Sequence, residues 1–165
     1  MDRDRELLRH FLAAIAYRTQ KALRDAPPHY PTFNAGNRVR TPVEILRHMT
    51  SLMGYVRTFF VGGQYPRELP PLPTFPEEIA RFHEMIEAVG KLLASDAKPS
   101  ISTEQMLQGP FADTMTHVGQ LAMLRRLAGA PVAPENFIFA DIRAERLNAN
   151  QPPPAKPDEH WPEAP

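Results

Sequence analysis

Nineteen prolines punctuate this 165-residue chain, and their positions decide where helices can run. A proline inside a helix removes a backbone donor and clashes with the preceding turn. Residues 2–24 contain none, and there Leu8, Phe11, Leu12 and Ile15 recur at helical spacing beside a charged opposite face. The spacing predicts a first helix over 2–24. Residues 26–40, rich in proline and glycine, cannot continue it and read as a long crossing loop.

Thr41-Pro42-Val43-Glu44 is a helix start signal: threonine caps, proline fits the first turn, and glutamate three residues after the cap closes a capping box. The second helix then runs to Val61, with Ile45, Met49, Leu52, Val56 and Phe59 in one stripe, before Gly62-Gly63 and a proline-stiffened connector. A third spans 74–95, with Glu77 and Glu78 at its positive end and Ile79, Phe82, Ile86, Val89 and Leu93 inward. Residues 102–107 suit a short helical turn before Gly109-Pro110. The fourth long helix occupies 111–128, with Gly129 after it, and its nearly all-round apolar surface predicts the most buried of the four.

No segment alternates as a strand does, so the expected fold is all-α. The expected architecture is an antiparallel four-helix bundle over residues 1–150, with long connecting loops that leave the order of connection open. Residues 135–147 suit a short helix or an ordered strap. Residues 151–165, with six prolines, form an extended tail, in which Trp161 either anchors a strap or stays exposed.

Lysine plus arginine equals aspartate plus glutamate, nineteen each, so no net positive field favours a nucleic-acid backbone. No apolar run reaches membrane-spanning length, and the acidic, basic opening lacks the order of a signal peptide. The absence of cysteine suits a reducing compartment, and a cytoplasmic location is expected. It also limits any metal to nitrogen and oxygen ligands.

Six histidines are available. His10 points away from the first apolar stripe, so it and Glu6 read as a solvated pair. His83 lies on a helix flank with Glu87 beyond it, and His29 and His160 sit in proline-rich segments without a fixed face. His48 falls between Ile45 and Leu52, at the edge of a stripe that must be buried. Asp113 and His117 stand one turn apart, with β-carbons about 5–6 Å from each other, close enough for both to reach one cation. An unpaired carboxylate in an apolar helix costs several kcal/mol, on the order of what a metal compensates. Structural readings account for the same residues. Asp113 would then favour the helix N-terminus, and His48 would be a core histidine bonded to Tyr17, Tyr55 or a carbonyl.

Thr116-His117-Val118-Gly119-Gln120-Leu121, followed by Leu124-Arg125-Arg126-Leu127-Ala128-Gly129, resembles the last core helix of the DinB-like (DinB/YfiT) metal-site bundles. In that family the helix carries two histidines one turn apart. Here His117 matches the second, and Asp113 replaces the first. Residues 41–48 are similar to the segment that supplies the remaining histidine, at His48.

The resemblance implies His48, Asp113 and His117 as ligands of one divalent cation, zinc, nickel or ferrous iron. It also implies a metal-dependent transferase or hydrolase acting on a small molecule such as a low-molecular-weight thiol, in a bundle able to form a homodimer. Tyr55, Gln120 and His29 are further pocket candidates. The competing reading is a non-enzymatic small-molecule binder or stress-related interaction module in which the site is vestigial.

Overall fold

Three helices begin on reciprocal side-chain caps. Thr41 donates to Glu44 Oε2 from its backbone N–H at 2.7 Å and from its hydroxyl at 2.8 Å. Thr74 and Glu77 repeat this pattern, with Glu77 N–H returning a 3.3 Å bond to Thr74 Oγ1. Ser102 and Gln105 form the third pair. Each box satisfies backbone donors that have no partner within the helix.

The structure is a computed structural model that describes residues 3–158, 160 and 161. Its helices are α1 (Arg3–Leu23), α2 (Pro42–Val61), α3 (Phe75–Ala94), α4 (Thr103–Met106) and α5 (Ala112–Leu127). Short 3-10 turns lie at Tyr30–Thr32 and Phe137–Phe139. The described residues form no strand, only an isolated bridge between Glu135 and Pro157. Asp2, where the first helix was expected to begin, and residues 159 and 162–165 of the expected tail lie outside the described residues.

Glycine ends α2 and follows α5, where Gly62 and Gly129 take φ values of 75° and 71° that side chains disfavour. The expected break at Gly109-Pro110 is a wide turn over Leu107–Phe111 that joins α4 to α5, with Gly109 alone leaving helical geometry. Thr114 Oγ1 donates to the Pro110 carbonyl at 2.7 Å and ties the turn to α5.

Packing pairs α1 with α3 and α5, and α2 with the same two helices. α1 and α3 run in opposite directions: Arg5 donates to the carbonyls of Leu92, Ser95 and Ala97 at the end of α3, while Leu12 lies near Gly90. Leu12, Ile15, Ile45, Met49, Phe82, Ile86, Leu93 and Leu121 are buried between them. Each contributes about 1.5–3 kcal/mol through removal of apolar surface from water.

α5 is not enclosed as its composition suggests. Met123 is 54 % exposed and Leu127 57 %, because α1 and α2 cover two sides and leave a third open. His83 departs from expectation in the other direction. It is buried, because residues 135–151 cross α1 and α3 as an ordered strap with a single 3-10 turn. Several contacts tie the strap down, among them three that reach α1 and α3. Tyr17 donates to Glu135 Oε1 at 2.7 Å, His83 Nδ1 donates to the Leu147 carbonyl at 2.7 Å, and Leu147 packs on the bare backbone of Gly90.

Candidate metal centre

The stripe that buries Ile45 and Met49 leaves His48 at its half-buried edge, facing α5. From α5, Asp113 and His117 project one turn apart. One ligand-type atom from each of His48, Asp113 and His117 lies within 4.8 Å of the other two. His117 Nε2 and Asp113 Oδ1 are 3.3 Å apart, and the two imidazole rings meet edge to face with centroids 4.8 Å apart. Ligands held about 2.0–2.1 Å from a tetrahedral zinc are separated by about 3.4 Å, close to the His117–Asp113 spacing. The ligand-type atom of His48 lies no more than 4.8 Å from those of the other two.

Gln120 determines which nitrogen of His117 is available. Its Oε1 lies 2.7 Å from His117 Nδ1, and an amide oxygen only accepts, so Nδ1 carries the proton. In the neutral ring Nε2 then directs a lone pair at the Asp113 carboxylate. The two atoms, 3.3 Å apart, are close enough to share a proton or a metal ion. A proton would satisfy this pair alone, whereas a metal would also engage His48.

The surroundings favour neutral His48. Burial pushes its pKa below the ordinary imidazole value, Arg40, His117 and Arg67 push the same way, and Asp113 opposes them. Neutral imidazole is the form that binds metal. Asp113 is the most open of the three, its side chain 48 % exposed against 10 % for His117. Its carboxylate therefore meets solvent as well as the cluster.

His48 and Asp113 line a cavity of about 710 Å³ together with Arg40, Ser51, Leu52, Tyr55, Tyr65, Arg67 and Glu68. Of the further pocket candidates, Tyr55 forms part of this wall and Gln120 orients His117. His29 does neither, since its Nε2 lies 3.1 Å from the Ala128 carbonyl. Tyr17 is engaged by Glu135, and His10 and His160 are exposed and outside the cluster. Arg40, Tyr65 and Arg67 were not foreseen. Arg40 stands directly before the α2 cap, which was the one available signal, while Tyr65 and Arg67 depend on a loop path that no periodicity encodes.

A separate concavity of about 320 Å³, lined by Arg18, Lys21, Met115, Arg126 and Glu135 among others, contains none of the three residues. No helix among the described residues is long and apolar enough to cross a membrane. Comparison of the chain with protein-family models, curated proteins and solved structures gives no match. The geometry defines a helical protein with a two-histidine, one-carboxylate group that could hold a metal ion.

Proposed function

We propose that the chain binds one divalent cation through His48, Asp113 and His117 and uses it in a transferase or hydrolase reaction on a small molecule. The observation that carries this reading is the orientation of His117, whose Nδ1 is held by Gln120 so that Nε2 faces Asp113 within reach of His48. The resemblance to DinB-like bundles supports it, as does the pairing of α1 and α2 with α3 and α5, which suits an antiparallel four-helix bundle. Two imidazoles and a carboxylate suit zinc, nickel or ferrous iron. Such an ion supplies Lewis acidity, lowering the pKa of a bound water or thiol. The chain's own residues provide the rest: Gln120 orients His117, and Leu52, Tyr55 and Tyr65 wall the adjoining cavity.

The test is metal stoichiometry and affinity after chelation and controlled reloading of tag-free protein, comparing wild type with His117→Ala and His10→Ala. One ion per chain, lost in His117→Ala and retained in His10→Ala with helix content unchanged, is the expected result. Equal binding by His117→Ala, or no specific binding by wild type, overturns the reading.

A further inference from the structure

The cavity beside the cluster carries two arginines that the metal reading does not use. Arg40 approaches from the segment before α2 and Arg67 from the loop after it, yet both line the same 710 Å³ space as His48 and Asp113. Both are exposed, and among the described residues neither guanidinium has a hydrogen-bond or ion-pair partner. The nearby arginine Arg47 is different, because its Nε is held 3.0 Å from buried Glu78. Glu44 lies near Arg40, but its carboxylate is engaged by Thr41.

The loop that presents Arg67 is fixed on both sides. Ahead of it, the Tyr65 ring lies against Gly54 and Ser51 Oγ donates to the Pro66 carbonyl. Beyond it, Arg81 donates to the Pro70 carbonyl at 2.9 Å and Leu72 N–H donates to Glu78 Oε1 at 2.9 Å. An arginine carried on an anchored loop, lining one cavity with a second arginine and without an internal partner, leaves its guanidinium available to an external anion. Glu68 and Asp113 line the same cavity, so two carboxylates accompany the two guanidiniums, and Asp113 is the one drawn into the cluster with His48 and His117. Leu52, Tyr55 and Tyr65 add apolar and aromatic surface, and the volume is that of a small-molecule site.

The geometry points to Arg40 and Arg67 as a clamp for an oxyanion, the carboxylate or phosphate of a small organic substrate whose apolar body lies against Leu52, Tyr55 and Tyr65. This rests on the metal-centre reading only for what happens next to the clamp, since the clamp itself forms without a cation. Arginine suits the role because its planar fork donates two parallel bonds to either group, whereas lysine offers a point charge.

Calorimetric titration of benzoate, phenyl phosphate and neutral benzamide into metal-free and metal-loaded protein tests the clamp. The two anions should bind more tightly than benzamide in both forms. They should weaken at least about tenfold in Arg40→Ala/Arg67→Ala, equivalent to about 1.4 kcal/mol. Arg67→Lys should fall between, and Glu68→Gln should tighten both anions by removing a like charge. Benzamide affinity should be the same in every variant. Tighter benzoate assigns a carboxylate substrate, and tighter phenyl phosphate assigns a phosphate ester.

The proposal is overturned if the double variant, folded by circular dichroism, binds the anions as wild type does, or if wild type prefers neither anion to benzamide. Arginine-dependent anion binding without stoichiometric metal would retain the clamp and remove the metal reading. Metal binding without arginine dependence would do the reverse.

Discussion

The ring of Tyr65 occupies the space that a side chain at Gly54 would need: a β-carbon built there falls 2.2 Å from two ring atoms. Gly54 lies one residue before Tyr55 on α2, so this contact seats the returning loop against the wall of the cavity. Gly54→Ala should cost about 1–3 kcal/mol by overpacking, despite the better helix propensity of alanine. In a Tyr65→Ala background the same change should cost little or become favourable. A double-mutant cycle by urea denaturation measures the difference, and purely additive effects would contradict the contact.

Glu78 is buried with Arg47 Nε at 3.0 Å, the Arg81 guanidinium on its other oxygen and Leu72 N–H at 2.9 Å. Removing one member of a buried charged network typically costs about 3–5 kcal/mol, and the partly exposed arginines place Glu78→Ala towards the lower end. Glu77→Ala, at the exposed cap, should cost less, about 0.5–2 kcal/mol. Equal losses in equilibrium unfolding would mean that the buried network contributes no more than the cap.

His83 gives the strap a pH dependence of definite sign. Burial lowers its pKa from the ordinary value of about 6.5, and the Leu147 carbonyl opposes this only in part. Between that lowered value and about 6.5 the unfolded chain takes up a proton that the folded chain refuses. Stability from this group is therefore complete above about pH 6.5 and declines below it, by at most about 1.4 kcal/mol per pH unit. Denaturation midpoints at pH 7.5 and 5.5 should differ more in wild type than in His83→Asn. An identical difference would assign the effect to other groups.

Gln120 is exposed and its side chain orients His117, so its replacement tests orientation apart from ligation. Gln120→Leu should weaken divalent-metal binding by about 10–100-fold with helix content preserved. Gln120→Glu, which keeps the acceptor, should restore most of the affinity. Wild-type affinity in the leucine variant would show that the amide does not hold the ring.

What could be read in advance follows from the range of the interactions. The start of α2 was legible because Thr41, Pro42 and Glu44 act within one turn, and the meeting of Asp113 with His117 because helical spacing fixes it. His48 was placed by its position at the edge of a stripe. The burial of His83 was not legible, because Leu147, sixty-four residues away, covers it. Nor was the exposure of Met123 and Leu127, since apolar composition does not reveal how many neighbours a helix will have. The cavity wall at Tyr65 and Arg67 depends on Gly54, Ser51 and Glu78 together, a tertiary agreement that no local window contains.

The cluster joins position 48 to positions 113 and 117, and that separation orders events during synthesis. When α2 has left the ribosome only one of the three side chains exists. The other two arrive with the last long helix, and the three converge only once that helix has closed against α2. A cation held by all three would therefore favour the closed arrangement of α2 and α5 over open ones, and α2 alone could not retain it.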